Sequence, residues 1–230
     1  MNTPVTSPAL RWPANLLAPH PVLTRALPFF IFVGLTGLQG QFGEESRCWF
    51  YLAKTLVGAW LIWSVRPLIA ELEWRISWQA VAAGIAVYAL WVGMDGWYPK
   101  PGKDEPWNPH TIFGQGAALA WFFIVVRIAG SSLVVPMLEE VFFRSLAYRY
   151  VASVDFLSIP LSRFLPVPFL LVSAFFAAEH REWLPGLLCG FIFQGLVIRT
   201  GRLGDAVTAH ALTNFLLGLH VVWKGAWNFW

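Results

Sequence analysis

Apolar residues fall into seven runs along the chain: Leu27–Gln41, Phe50–Val65, Ala80–Trp97, Ala117–Val151, Val167–His180, Leu184–Ile198 and Ala206–Trp223. Turn-rich or charged stretches separate them, among them YPKPGKDEPWNPH at Tyr98–His110 and RTGRLGD at Arg199–Asp205. The runs approach the roughly 20 residues an α-helix needs to cross a hydrocarbon core about 30 Å thick. The pattern predicts an all-α, polytopic transmembrane helical bundle of about seven spans, or eight. It forms a single integral membrane domain over residues 1–230, with no internal repeat.

The fourth run is too long for one crossing. As a helix its 35 residues extend for about 52 Å. AGSS at Ala129–Ser132 and Pro136 are expected to kink or break it. The crossing part is then its C-terminal half, which carries the adjacent carboxylates Glu139 and Glu140. Counted from the inner end, Glu139 lies roughly 18 Å deep, His180 roughly 20 Å and His210 roughly 10 Å.

Composition agrees with a lipid solvent. Hydrophobic residues make up 57% of the chain and charged ones 13%, about half the charged share of a soluble domain. The fourteen tryptophans suit the headgroup interface, and WKGAWNFW at Trp223–Trp230 reads as an anchor there. The net charge of +3 reflects basic loops, with no basic stripe to suggest nucleic acid. Cys48 and Cys189 read as packing residues. PVTSPALRWP near the N-terminus lacks the pattern of a cleavable signal peptide, so the first span is expected to act as the targeting signal.

Basic residues sort by loop. Arg11, Arg25, Arg66, Arg75, Arg144, Arg149, Arg163, Arg199 and Arg202 fall on one side of a seven-span arrangement, against Arg47, Lys100, Lys103, Arg181 and Lys224 on the other. Nine against five places the N-terminus in the cytoplasm by the positive-inside rule. Within the apolar runs, snorkelling accounts for Lys54, and Arg127 is a candidate to line a substrate route.

The polar residues that lipid does not explain are Glu139, Glu140, His180, His210 and Asn214. Ionisable groups inside a membrane usually face a bundle interior or a water-filled cavity. Each has a plain structural reading. Glu140 and Arg144 are four apart and can form an intrahelical ion pair. His180 can sit at the interface, and Asn214 can bond a neighbouring helix. The set as a whole is harder to dismiss, because three helices supply it. His210 shares a helix face with Asn214, and Phe176 with His180.

A carboxylate and an imidazole across a small wet cavity can deprotonate water for hydrolysis of an amide. A second histidine and an asparagine amide can donate to the resulting oxyanion. Two histidines and a carboxylate are also a known zinc ligand set. The zinc-protease motifs are missing, however, and FAAEH at Phe176–His180 would fit the inverted pattern only with histidine at position 176. Neither cysteine nor any serine lies in a nucleophile motif.

EEVFFR at Glu139–Arg144, FAAEH at Phe176–His180 and HALTN at His210–Asn214 resemble, in order and spacing, three signatures: E-E-x-x-x-R, F-x-x-x-H and H-x-x-x-N. These belong to the CAAX prenyl protease and bacteriocin-processing family of intramembrane glutamic endopeptidases. The resemblance covers about half the chain, a catalytic core of approximately 117–223. It implies that Glu139 and His180 activate water, that His210 and Asn214 stabilise the transition state, and that Glu140, Arg144 and Phe176 support the site. It implies no cofactor and no metal, with a membrane-associated protein or peptide as substrate and the lipid bilayer as the other partner. Where the family usually has glycine after the arginine, this chain has Ser145, a change expected to alter local helix packing. The size and N-terminal helices resemble bacterial members associated with exosortase sorting systems, which implies a bacterial inner (plasma) membrane. Prenylated substrates do not follow from it. Two other classes fit the same residues: a non-catalytic scaffold or immunity protein that binds a peptide in the cavity, and a small transporter with a Glu139–His180 proton relay. The transporter is disfavoured by the lack of inverted repeats.

Overall fold

A computed structural model describes residues 12–102 and 106–230; Arg11 and Lys103, placed above on opposite sides, lie outside the described residues. Seven apolar helices follow the seven runs: α1 (Pro21–Thr36), α2 (Ser46–Val65), α3 (Trp78–Gly93), α4 (Ala118–Tyr150), α5 (Pro166–Ala178), α6 (Trp183–Thr200) and α7 (Leu203–Lys224). Four segments are long and apolar enough to cross a membrane alone: Ser46–Leu68, Ala118–Tyr150, Trp183–Thr200 and Leu203–Lys224. The other three have 13 to 16 residues. The protein is an integral membrane protein built as a helical bundle.

Local chemistry sets several boundaries. Proline occupies the first position of α1 and α5, where its missing N–H costs nothing and its fixed φ suits the helix. The Ser77 side chain caps α3 by accepting from the Ala80 N–H at 3.2 Å, satisfying an orphan donor. Helix α6 stops at Gly201 with φ +68°, a left-handed cap that glycine adopts without a Cβ clash.

Helix α4 is not broken. The chain stays helical from Ala118 to Tyr150 and instead widens into π-helical turns at Gly130–Val134 and Val141–Ala147. Pro136 has no N–H to donate and its ring crowds the carbonyl four residues back. An i→i+5 turn just before it relieves that conflict without ending the helix, and such turns are frequent at functional sites. The six residues between the two π turns, Val135–Glu140, include both glutamates.

The loops gather at two opposite ends. At one end, Arg25 of α1 pairs with Glu71 of the α2–α3 loop at 2.9 Å, and Arg149 at the end of α4 reaches the same carboxylate at 2.7 Å. The Arg149 guanidinium also donates to the Ile159 carbonyl in the α4–α5 loop, and Thr208 at the start of α7 donates to the Arg75 carbonyl. At the other end, Trp183 at the start of α6 donates to the Pro99 carbonyl at 2.9 Å, Lys100 lies 3.7 Å from Glu182, and the Trp107 N–H donates to the Trp230 carbonyl. Alternate loops therefore lie at alternate ends, as seven traverses of the bundle require.

Interhelical contacts at Gly84 and Gly190 leave no room for a side chain. A Cβ on Gly84 of α3 would stand 2.7 Å from the Ala209 carbonyl oxygen of α7, and one on Gly190 of α6 would stand 2.9 Å from Ser173 of α5. Thr213 of α7 donates to the Gly84 carbonyl at 2.9 Å. Small residues that let backbones approach, fixed by a hydroxyl across the gap, are how helices pack where lipid removes the hydrophobic drive.

Two residues, Lys54 and Ser145, differ from expectation. Lys54 does not snorkel; it is buried, donating to Thr36 Oγ1 at 2.9 Å with its ammonium over the Phe32 and Tyr51 rings. A hydroxyl and two aromatic faces replace the water it would otherwise seek. Ser145 does more than pack. Its hydroxyl donates to Glu71 and accepts from Arg25 Nε at 2.9 Å and Arg149 Nη2 at 3.0 Å, tying α1, α4 and the α2–α3 loop together. A glycine there would leave those donors without this acceptor.

Candidate active site

Glu139, His180, His210 and Asn214 line one cavity of about 200 Å³. Helix α4 supplies the glutamate, the short α5–α6 linker supplies His180, and α7 supplies the other two. His180 stands two residues beyond the last residue of α5, not within the helix as the apolar run suggests. It stays aligned with that helix because its Nδ1 lies 2.7 Å from the Phe176 carbonyl oxygen, so the ring extends the helical hydrogen-bond pattern past the backbone end. The ring also packs against Phe176 and edge-on against Trp91.

That contact fixes a tautomer. A carbonyl oxygen only accepts, so Nδ1 of His180 must carry the proton. In the neutral ring Nε2 is then the free lone pair, the form a general base needs.

His210 is held from two sides. Its Nδ1 lies 2.9 Å from Glu140 Oε1 and its Nε2 lies 4.0 Å from Glu139 Oε2. Glu140 is fully buried and its other oxygen is 3.1 Å from Arg144 Nε. The guanidinium of Arg144 lies over the Phe176 ring at 4.4 Å. A chain of Phe176, Arg144, Glu140 and His210 thus runs behind the cavity wall, each member seated by the next. Glu140 and Arg144 do not line the cavity, whereas Glu139 does.

The two neighbouring carboxylates are therefore in different situations. Glu140 hydrogen-bonds His210 through Oε1 and pairs by charge with Arg144 through Oε2. Glu139 Oε2 is buried without a hydrogen-bond partner among the described residues, and 4.0 Å is beyond direct hydrogen bonding to His210. Asn214 donates from Nδ2 to the Ser131 carbonyl at 2.8 Å, which holds the amide in place and leaves its second N–H uncommitted. The Ser131 carbonyl lies in the first π turn of α4, so that turn orients Asn214.

The cavity has further walls that the motifs do not reveal. Trp91, Arg127, Glu182 and Cys189 line it, with Phe229 and Trp230 from the C-terminal turn. Of these only Arg127 stood out in the sequence, as a charge inside an apolar run. The remainder come from loops and helix ends that meet only in the fold. Among the described residues, no three His, Cys, Asp or Glu side chains converge closely enough to hold a metal ion. An apolar groove of about 400 Å³ between Trp63, Leu72 and Met137 has Arg66 as its one charged wall and none of the cavity residues.

Comparison with known proteins bears on the same segment. Residues 119–216 match the family model described as Rce1-like, type II CAAX prenyl endopeptidase. The match contains Glu139, His180, His210 and Asn214. No curated protein and no solved structure matches the chain.

Proposed function

We propose, from the match of residues 119–216 to the family model described as Rce1-like, type II CAAX prenyl endopeptidase, that this cavity hydrolyses a peptide bond in a membrane-associated protein or peptide without a metal. The coarser reading, a membrane protease, is supported by that match together with the apolar helices. The finer reading rests on one observation: three elements aim Glu139, His180, His210 and Asn214 at a single cavity of about 200 Å³, with Glu140 and Arg144 packed behind it.

In this reading Glu139 and the Nε2 lone pair of His180 share the deprotonation of a water. The hydroxide adds to the carbonyl carbon of the substrate. The oxyanion that forms is met by the uncommitted Asn214 N–H and by Nε2–H of His210. His210 can donate from Nε2 while Nδ1–H bonds Glu140 only when both nitrogens carry protons, and the Glu140 carboxylate at 2.9 Å is the counter-charge for that form. Collapse breaks the C–N bond, and the proton taken from water goes to the leaving nitrogen. The products are a carboxylic acid and an amine, and no redox partner is needed.

The role of Glu140 and Arg144 is orientation: they hold His210 and Phe176 where the cavity needs them. The experiment that tests the function is a proteomic comparison of membranes from cells making the wild type and E139Q. A truncated membrane protein present only with the wild type supports the reading. Identical profiles, with both proteins folded and equally abundant, remove it and favour a scaffold that binds a peptide in the cavity.

A further inference from the structure

Arg127 stands at the junction of two spaces. It lines the cavity of Glu139 and His180, and it also lines a wider, more polar vestibule of about 780 Å³. Trp230 borders both spaces as well. The vestibule lies at the end of the bundle where Gln39, Arg47 and Trp107 meet, opposite the Arg25–Glu71–Arg149 cluster.

The guanidinium is enclosed by aromatic rings and forms no ion pair with a carboxylate among the described residues. Its centre lies 4.9 Å from the Tyr51 ring, 4.8 Å from Trp107 and 5.5 Å from Trp230. Rings satisfy the faces of a guanidinium. They do nothing for its edge, where five N–H donors lie in the plane. Arg127 donates no hydrogen bond among the described residues, and its Nε is buried without a partner. Arg25, Arg144 and Arg149 each have a carboxylate in reach; Arg127, between the vestibule and the reactive cavity, has none among the described residues. Lys54, over the same Tyr51 ring, adds positive charge and is already committed to Thr36, and Glu44 stands on the vestibule wall.

We propose that Arg127 is a specificity-determining residue: it binds a carboxylate of the substrate as the peptide passes from the vestibule into the cavity. A planar guanidinium fork matches a carboxylate with two parallel hydrogen bonds. The three rings fix the plane of the fork before substrate arrives, so little order is lost on binding. The carboxylate can be a chain end or an acidic side chain. The inference rests on the peptidase reading for its purpose, although the binding event does not require turnover.

The test uses full-length E139Q protein in detergent micelles. An N-terminally fluorescein-labelled nonapeptide rich in leucine and alanine is titrated in three forms: with a free C-terminal carboxylate, with a C-terminal amide, and with the amide plus one internal aspartate. Anisotropy should show a carboxylate-bearing form binding about tenfold or more tighter than the plain amide, as a charged bidentate contact provides. Whichever acidic form gains identifies the source of the carboxylate. Adding R127Q should erase the difference, and R127K should keep part of it, because the charge remains while the fork is lost. Equal binding of all three forms, no binding of any, or an acid preference that survives R127Q overturns the proposal. The comparison of forms on protein with Arg127 intact needs no variant at that position, so a poorly folding R127Q does not block it. Acid-selective binding combined with a wild type that cleaves nothing would keep the anchor and remove the peptidase reading; cleavage without acid preference would do the reverse.

Discussion

Glu140 bridges His210 and Arg144: Oε1 is 2.9 Å from the imidazole Nδ1 and Oε2 is 3.1 Å from the guanidinium Nε. Both contacts are buried. Its neighbour Glu139 faces the cavity, so two adjacent and chemically identical residues stand in different surroundings.

Removing one member of that buried pair should be costly. E140Q leaves Arg144 charged and uncompensated, which costs on the order of 3–5 kcal/mol in buried pairs. Folded yield measured by size-exclusion chromatography should fall. The double variant E140Q/R144Q removes both charges and should recover much of that yield, while activity per folded molecule stays partial, as in E140Q, because His210 has lost its carboxylate. Yield no better for the double variant than for E140Q would show that the pair does not act as a unit.

At the opposite end of the bundle, stability should respond to acid through Glu71. Burial alone would raise its carboxyl, but the Ser145 hydroxyl, Arg25, a backbone hydrogen bond and Arg149 together hold it below the ordinary carboxylate value. A carboxyl depressed in the folded state contributes stability that is full above the unfolded value and is lost as pH falls through the folded one. Thermal melts should therefore show the wild type losing stability through the acid range, with a smaller slope in E71Q. Equal slopes would mean the cluster does not hold Glu71 as a charged group.

The sidedness of the loops gives a third expectation. Single cysteines at positions 66, 75, 163 and 202 should react with an impermeant reagent from the cytoplasm, and one at position 181 only from the opposite face. That follows from the excess of arginine in the first set of loops and from their meeting at one end of the bundle. Labelling of position 181 from the cytoplasm would reverse the orientation and, with it, the side to which the cavity and vestibule open.

Much of this architecture is legible in the sequence because lipid makes hydropathy nearly sufficient. Each of the seven apolar runs became a helix, with ends displaced by a few residues where prolines such as Pro21 or caps such as Ser77 decide the boundary. The course of α4 was not legible. A hydrogen-bond register of i→i+5 leaves no mark in the apolar pattern, so the proline that suggested a break sits beside a π turn. Lys54 was misread for a related reason: Phe32 and Thr36, which hold it, belong to another helix. The polar candidates were legible because lipid tolerates so few charges, and their motif spacing separated Glu140, with Arg144 one turn on, from Glu139. Nothing local marks Glu182 or Trp91 as cavity walls, since their neighbours there are distant in the chain.

Chelation separates the proposed chemistry from metal catalysis. Cleavage by the purified protein should persist in EDTA or 1,10-phenanthroline, because the proposed chemistry activates the water with Glu139 and His180. Activity lost on chelation and restored specifically by zinc would assign the histidines and glutamate to a metal.

The central claim, that Glu139 and not Glu140 activates the water, is tested most directly by comparing the two glutamine variants. Membranes from cells making wild type, E139Q or E140Q are scored for the truncated product, normalised to folded protein by size-exclusion chromatography. The account expects E139Q to fold normally and lose product by roughly 10²-fold or more, the scale of general acid–base contributions. E140Q should fold poorly and retain partial activity per folded molecule. An active E139Q beside a well-folded, inactive E140Q would contradict the assignment.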